Sequence, residues 1–220
     1  MLGMSFNRRR LIVLLLVCVG LFVGIAINVF VTGNAVSVDL NLANLLYNFR
    51  DPLLVKVFSL VTMLGKWFVV AIIMLAGAAV FYFKGYIKYI IPFFISVGGS
   101  FLTGILGKYL WHRPRPVDVA VYLEKSWAFP SGHAILAVSL YGFLIYFFWK
   151  QFQIRGIKVA AVFFGLLIIL LIGFSRLYLG VHYLSDVLAG YMVGVFWLVV
   201  SIGLVEFKTK PDSVDASSNR

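Results

Sequence analysis

Apolar residues along this chain come in long runs separated by short polar breaks, a pattern of spanning helices rather than of a globular core. Leu11–Val31 is uncharged. At about 1.5 Å per residue it is long enough to cross about 30 Å of hydrocarbon. It follows Arg8, Arg9 and Arg10, and it exceeds the roughly 7–15 apolar residues of a signal-peptide core. It is therefore read as a retained first span. Gly33-Asn34-Ala35 keeps a cleaved signal as the alternative. The second span is centred on Phe68–Phe83, with a possible start at Leu53. The third runs over Tyr89–Leu106, the fourth over Ala134–Trp149, the fifth over Val159–Phe174 and the sixth over Leu184–Val205. Gly98, Gly99, Gly104 and Gly107 would let the third span pack closely.

Between the first two spans, residues 38–66 mix polar and apolar positions. Leu42, Leu45, Leu46 and Phe49 fall at helical spacing, which predicts a short amphipathic helix at the interface. A plain loop is an equal reading of 32–40. The polar residues 208–220 read as a disordered cytoplasmic tail. The pattern predicts an all-α membrane bundle of six helices, one domain over 1–207.

Composition strengthens this picture. The chain is 62% hydrophobic and 12% charged, about half the charge of an average soluble domain. Its one cysteine, Cys18, lies inside the first run and reads as a small apolar residue. With no Cys/His cluster, no metal and no cofactor are expected. The net charge of +11 raises nucleic acid as a partner. The basic residues flank the apolar runs, however, as membrane topology requires, so the expected partner is the bilayer and not nucleic acid.

The links at Lys84–Lys88 and Lys150–Lys158 are basic without an acid, which puts them and both termini on the cytoplasmic side. The opposite face still holds Lys108, Arg113, Arg115 and Arg176, more positive charge than topology alone explains.

Three polar segments converge on that outer face: Lys108–Pro116, Pro130–His133 and Ser175–Asp186. Asp118 and Asp186 are read as the two acids near enough in the chain to be obvious partners. A cation group short of acids points to an anionic ligand, and the planar fork of Arg suits phosphate. His182 and Asp186, four apart, meet if helical. The carboxylate then fixes one imidazole nitrogen and leaves the other nucleophilic. His133 is a candidate proton donor. His112 has no comparable setting and is given no role. Pro130, Ser131 and Gly132 read as a helix start, with Ser131 capping free N–H groups and the helix dipole favouring an anion.

Together these segments resemble the type 2 phosphatidic acid phosphatase superfamily. Its signatures are Lys-x6-Arg-Pro, Pro-Ser-Gly-His and Ser-Arg-x5-His-x3-Asp. Here they read Lys108-x6-Arg115-Pro116, Pro130-Ser131-Gly132-His133 and Ser175-Arg176-x5-His182-x3-Asp186. The resemblance implies a metal-independent phosphatase acting through a phosphohistidine. His182 would attack phosphorus, Asp186 would orient it, and His133 would protonate the leaving group. Lys108, Arg115, Arg176, Ser131 and the Gly132 N–H would hold the phosphoryl oxygens. The implied substrates are membrane lipid phosphates: undecaprenyl pyrophosphate, phosphatidylglycerophosphate or phosphatidate. A lipid phosphotransferase with the same intermediate and a non-catalytic anionic-lipid transporter or scaffold are the alternatives. Vanadate haloperoxidase chemistry, known in soluble relatives, does not suit a membrane chain. The motifs read phosphate, so tail selection falls to 32–66 and 117–129, where Tyr122, Trp127 and Phe129 read as interfacial aromatics.

Overall fold

A computed structural model describes residues 7–207. The tail 208–220, with its expected disorder, lies outside the described residues. Those residues form eight α-helices and no strand: α1 Arg8–Phe30, α2 Asn34–Asn48, α3 Pro52–Met63, α4 Trp67–Phe83, α5 Ile90–Trp111, α6 Gly132–Gln151, α7 Arg155–Tyr178 and α8 Leu184–Phe207. Helices α1, α6, α7 and α8 are each long and apolar enough to cross a membrane, and so is α5 with the helical turn before it. Helices α3 and α4 pass the same test only as a pair, bent by 46° at their break, which gives five or six candidate spans. The second span thus starts earlier than its apolar centre suggests and is broken at Leu64–Lys66. Asp51 starts it, its carboxylate accepting from the N–H groups of Leu53 and Leu54, with Pro52 at the first helical position. The loop alternative for 32–40 fails from Asn34 onward, where α2 is helical.

The chain is a multi-pass membrane bundle with α6 at its centre. Helix α6 packs against α4, α5, α7 and α8, and 67% of its apolar window is buried. The corresponding share is 17% in α1 and 22% in α7, whose outward faces carry exposed residues such as Leu16 and Leu170. Such all-round apolarity suits a hydrocarbon surround. Close approach of α6 and α8 depends on glycine. A Cβ on Gly190 would stand 2.8 Å from the Ser131 carbonyl oxygen, and one on Gly194 2.8 Å from that of Ile135. In α5, Gly99 lies against Trp197, Gly104 against Ile135 and Gly107 against Pro130. Gly98 faces open space, contrary to the expected contact.

Candidate active site

The three polar segments meet where α5 and α7 end and where α6 and α8 begin. A cavity of about 230 Å³ opens there, and Lys108, Arg115, Gly132, His133 and His182 line it. Arg176, Ser131 and Asp186 are fully buried around it rather than on its wall. His112, exposed at the left-handed C-cap of α5, has its ring edge-on to Trp127 and stays out of the cavity.

His182 sits in the turn before α8, not on the helix as the four-residue spacing suggests. The pair still meets, since Asp186 is in the first turn of α8. His182 Nδ1 lies 3.4 Å from Asp186 Oδ2 without hydrogen-bond geometry. The same oxygen accepts the Tyr183 N–H at 2.9 Å. On the other side of the ring, an Arg115 N–H reaches Nε2 at 3.1 Å. A guanidinium only donates, so Nε2 must be the unprotonated nitrogen and Nδ1 carries the proton towards Asp186. Burial, reinforced by the Arg115 and Arg176 cations, holds the imidazole well below the ordinary histidine pKa. The His182 lone pair on Nε2 is thus engaged by Arg115 beside the cavity that His182 lines.

Ser131 is the N-cap of α6, but its hydroxyl makes no capping bond. Its backbone does the joining instead. The Ser131 N–H donates to the Asp186 carbonyl, and the Ser131 carbonyl accepts from Ile135, both at 3.0 Å. The start of α6 is thus tied to α8 beside the carboxylate. Ser131 Oγ and His133 Nε2 are left buried without a hydrogen-bond partner. Of the two, only His133 lines the cavity, where its free ring nitrogen can meet a ligand or a water.

The expectation that the cations lack acids is corrected by two carboxylates outside the three polar segments, Asp39 and Glu124. Arg113 is no phosphate ligand: it is buried between Asp39 of α2 at 2.7 Å and Asp186 at 2.5 Å. Burial alone would lower its pKa; Asp186 and Asp39 outweigh that and raise it. Ser185 completes the group through its N–H to Asp39 at 3.0 Å. Glu124, in the α5–α6 loop, pairs with Arg115 at 2.7 Å and also with Arg176. Burial works against the Glu124 carboxylate, but Arg176 and Arg115 hold its pKa below the usual range. Asp118, the acid expected to matter, is exposed. Phe129 is not interfacial; it is fully buried against Phe22, Phe30 and Trp111. Gly65, at the break of the second span, is a further site residue, its Cα close enough to His133 that a Cβ would stand 3.1 Å from Cδ2. Its only sequence signal is a Gly-Lys interruption in an apolar run.

The profile of the PAP2 superfamily matches residues 65–210, well over half of the chain. The chain belongs to the PAP2 superfamily. Among curated proteins, phosphatidylglycerophosphatase B of Bacillus subtilis (strain 168) is 32% identical over 155 residues, which are 68% of this chain and 75% of that protein. Lipid phosphate phosphatase delta of Arabidopsis thaliana is 31% identical over 93 residues, 40% of this chain and 22% of that one. The crystal structure of a transmembrane PAP2-type phosphatidylglycerolphosphate phosphatase from Bacillus subtilis superposes with a TM-score of 0.81 at 26% identity, covering 90% of this chain and 98% of that one. Aquifex aeolicus LpxE gives 0.58 at 26% identity, over 76% and 95%. This PAP2 chain is accordingly a membrane-spanning phosphoric ester hydrolase.

Proposed function

We propose that this PAP2 protein removes phosphate from a membrane lipid phosphate or diphosphate through a covalent phosphohistidine on His182, at the extracytoplasmic face. The observation that carries the reading is His182 itself. It is a buried imidazole with Asp186 behind Nδ1 and an Arg115 N–H on Nε2, at a cavity shared with His133, Lys108 and Arg115. Phosphoryl transfer asks mainly for positioning and charge stabilisation, and Lys108, Arg115 and Arg176 supply the charge. His182 Nε2 forms a bond to phosphorus while the bond to the lipid oxygen breaks. That oxygen takes its proton from His133. Water then attacks the phosphohistidine, gives a proton to His133, and releases inorganic phosphate as the N–P bond breaks.

The lipid part of the reading rests on the other wall of the cavity, where Trp67 of α4 and Phe101 and Ile105 of α5 are apolar. A head group at the histidines would leave its chains among these side chains. The relatives, a phosphatidylglycerophosphatase and a lipid phosphate phosphatase, favour phosphatidylglycerophosphate and similar lipid phosphates. Undecaprenyl pyrophosphate and phosphatidate have the same terminal group and belong on the same panel. The catalytic domain is taken as 1–207.

The test is inorganic phosphate release by purified protein in detergent, across those three lipids and a soluble phosphate ester. Release is expected from lipid substrates with excess EDTA present. His182→Ala is expected to lose about a thousandfold or more; full activity in that variant would end the histidine mechanism.

A further inference from the structure

The three proposed phosphate cations come from different elements: Lys108 from α5, Arg115 from the α5–α6 loop and Arg176 from α7. All three are held by one short stretch of that loop, residues 122–127. Lys108 donates to the Trp127 carbonyl, and Arg115 to the Ser126 carbonyl and the Ser126 hydroxyl. Arg176 donates to the Tyr122 hydroxyl at 2.8 Å. At the centre is Glu124. One of its oxygens takes Arg115 and the other takes Arg176, and it lines the same cavity as the two histidines. A carboxylate that bridges two guanidiniums beside a nucleophile occupies the position a phosphoryl group needs. The remaining Arg115 nitrogen, Nη1, donates to the Val181 carbonyl and reaches the His182 lone pair.

We infer that Glu124 is an internal stand-in for the substrate's phosphate and a specificity-determining residue of the site. The inference rests on the phosphatase reading above and deepens it. A phosphate must displace Glu124 to reach Arg115 and Arg176 together. The displacement needs no helix movement, because Glu124 is a long side chain on a loop and is partly exposed. It sets a threshold of charge. A dianionic monoester or a diphosphate offers more than one carboxylate and wins the two guanidiniums. A monoanionic diester offers no more and does not. The same competition acts on the product. When Glu124 swings back onto the arginines, inorganic phosphate loses two of its charge-assisted bonds and leaves.

The opposite role, a brace that merely orients the arginines, predicts the opposite sign. The experiment is calorimetric titration of inorganic phosphate into the full-length protein in detergent, comparing wild type, Glu124→Gln and Glu124→Asp. Glu124→Gln is expected to bind inorganic phosphate about tenfold tighter or more, the equivalent of one charge-assisted hydrogen bond relieved of competition. Glu124→Asp, charged but shorter, is expected to fall between. Equal or weaker binding in Glu124→Gln overturns the inference. If Glu124→Gln does not fold, Glu124→Asp decides, since tighter binding supports competition and weaker binding refutes it. Absence of phosphate binding in both wild type and Glu124→Gln overturns the inference, as does wild-type binding that Glu124→Gln weakens, whereas the phosphatase reading stands or falls separately with phosphate release and its loss in His182→Ala.

Discussion

Arg113 and Arg115 stand two residues apart in the same short sequence, yet they do different work. Arg113 turns inward and holds Asp39 and Asp186; Arg115 turns to the cavity and His182. Replacing Arg113 with Ala would leave two buried carboxylates with no cation between them. Removal of one partner from a buried pair costs about 3–5 kcal/mol. Arg113→Ala is therefore expected to lower the unfolding midpoint in detergent sharply. Turnover should fall too, since Asp186 loses its anchor. Arg113→Lys keeps the charge but cannot serve both acids with a planar fork, so it should recover stability more fully than kcat. A stable, fully active Arg113→Ala would show that the pair contributes nothing. The sequence could not sort these two arginines, because their sorting depends on Asp39, which lies on α2 and far away in the chain. Glu124 was hidden for a related reason. It sits in a loop without periodicity, where no pattern says which side chains point inward. The motif residues were legible because each lies at the mouth of a helix that the apolar runs already located.

At the level of elements, helix contacts are set by where side chains are missing. Gly190 and Gly194 put the backbone of α8 against the first turns of α6, with carbonyl oxygens 2.8 Å from where a Cβ would be. A carbonyl cannot rotate aside as a side chain can. Gly190→Ala is expected to destabilise by about 1–3 kcal/mol, as overpacking does, and to disturb Ser131 directly. Gly98→Ala, with nothing within 4 Å, is expected to stay within about 0.5 kcal/mol. Thermal unfolding of both variants in one detergent checks the contrast; equal losses would mean that the α6–α8 contact is looser than described. Spans were legible from length and apolarity alone. The break at Leu64–Lys66 was not, because its support is tertiary: Tyr141 of α6 donates to the freed Leu64 carbonyl, and Arg176 of α7 donates to the Thr62 hydroxyl just before the break. Irregular backbone in a membrane protein survives where protein covers it.

Across the whole molecule, charge separates by end. Lys84 and Lys88 lie at the α4–α5 link, and Lys150, Arg155 and Lys158 lie at or beside the α6–α7 link. Lys150 pairs with Glu206 at the far end of α8. The site occupies the opposite ends of these helices. The proposed orientation is testable in a Cys18→Ala background. A membrane-impermeant thiol reagent should label Lys125→Cys in intact cells and Arg155→Cys only after permeabilisation, and the reverse pattern would invert the proposed topology. One feature of the site also bears on biogenesis. Helix α7 has no charged residue from Val159 to Ser175 and then carries Arg176 in its last turn, completely buried. Its partners belong to other elements: Thr62 to α3, and Tyr122 and Glu124 to the α5–α6 loop. An inserted α7 on its own therefore carries a cation that only the assembled bundle can shelter. Packing α7 against α3 and the α5–α6 loop therefore also seats one of the three cations of the proposed phosphate site.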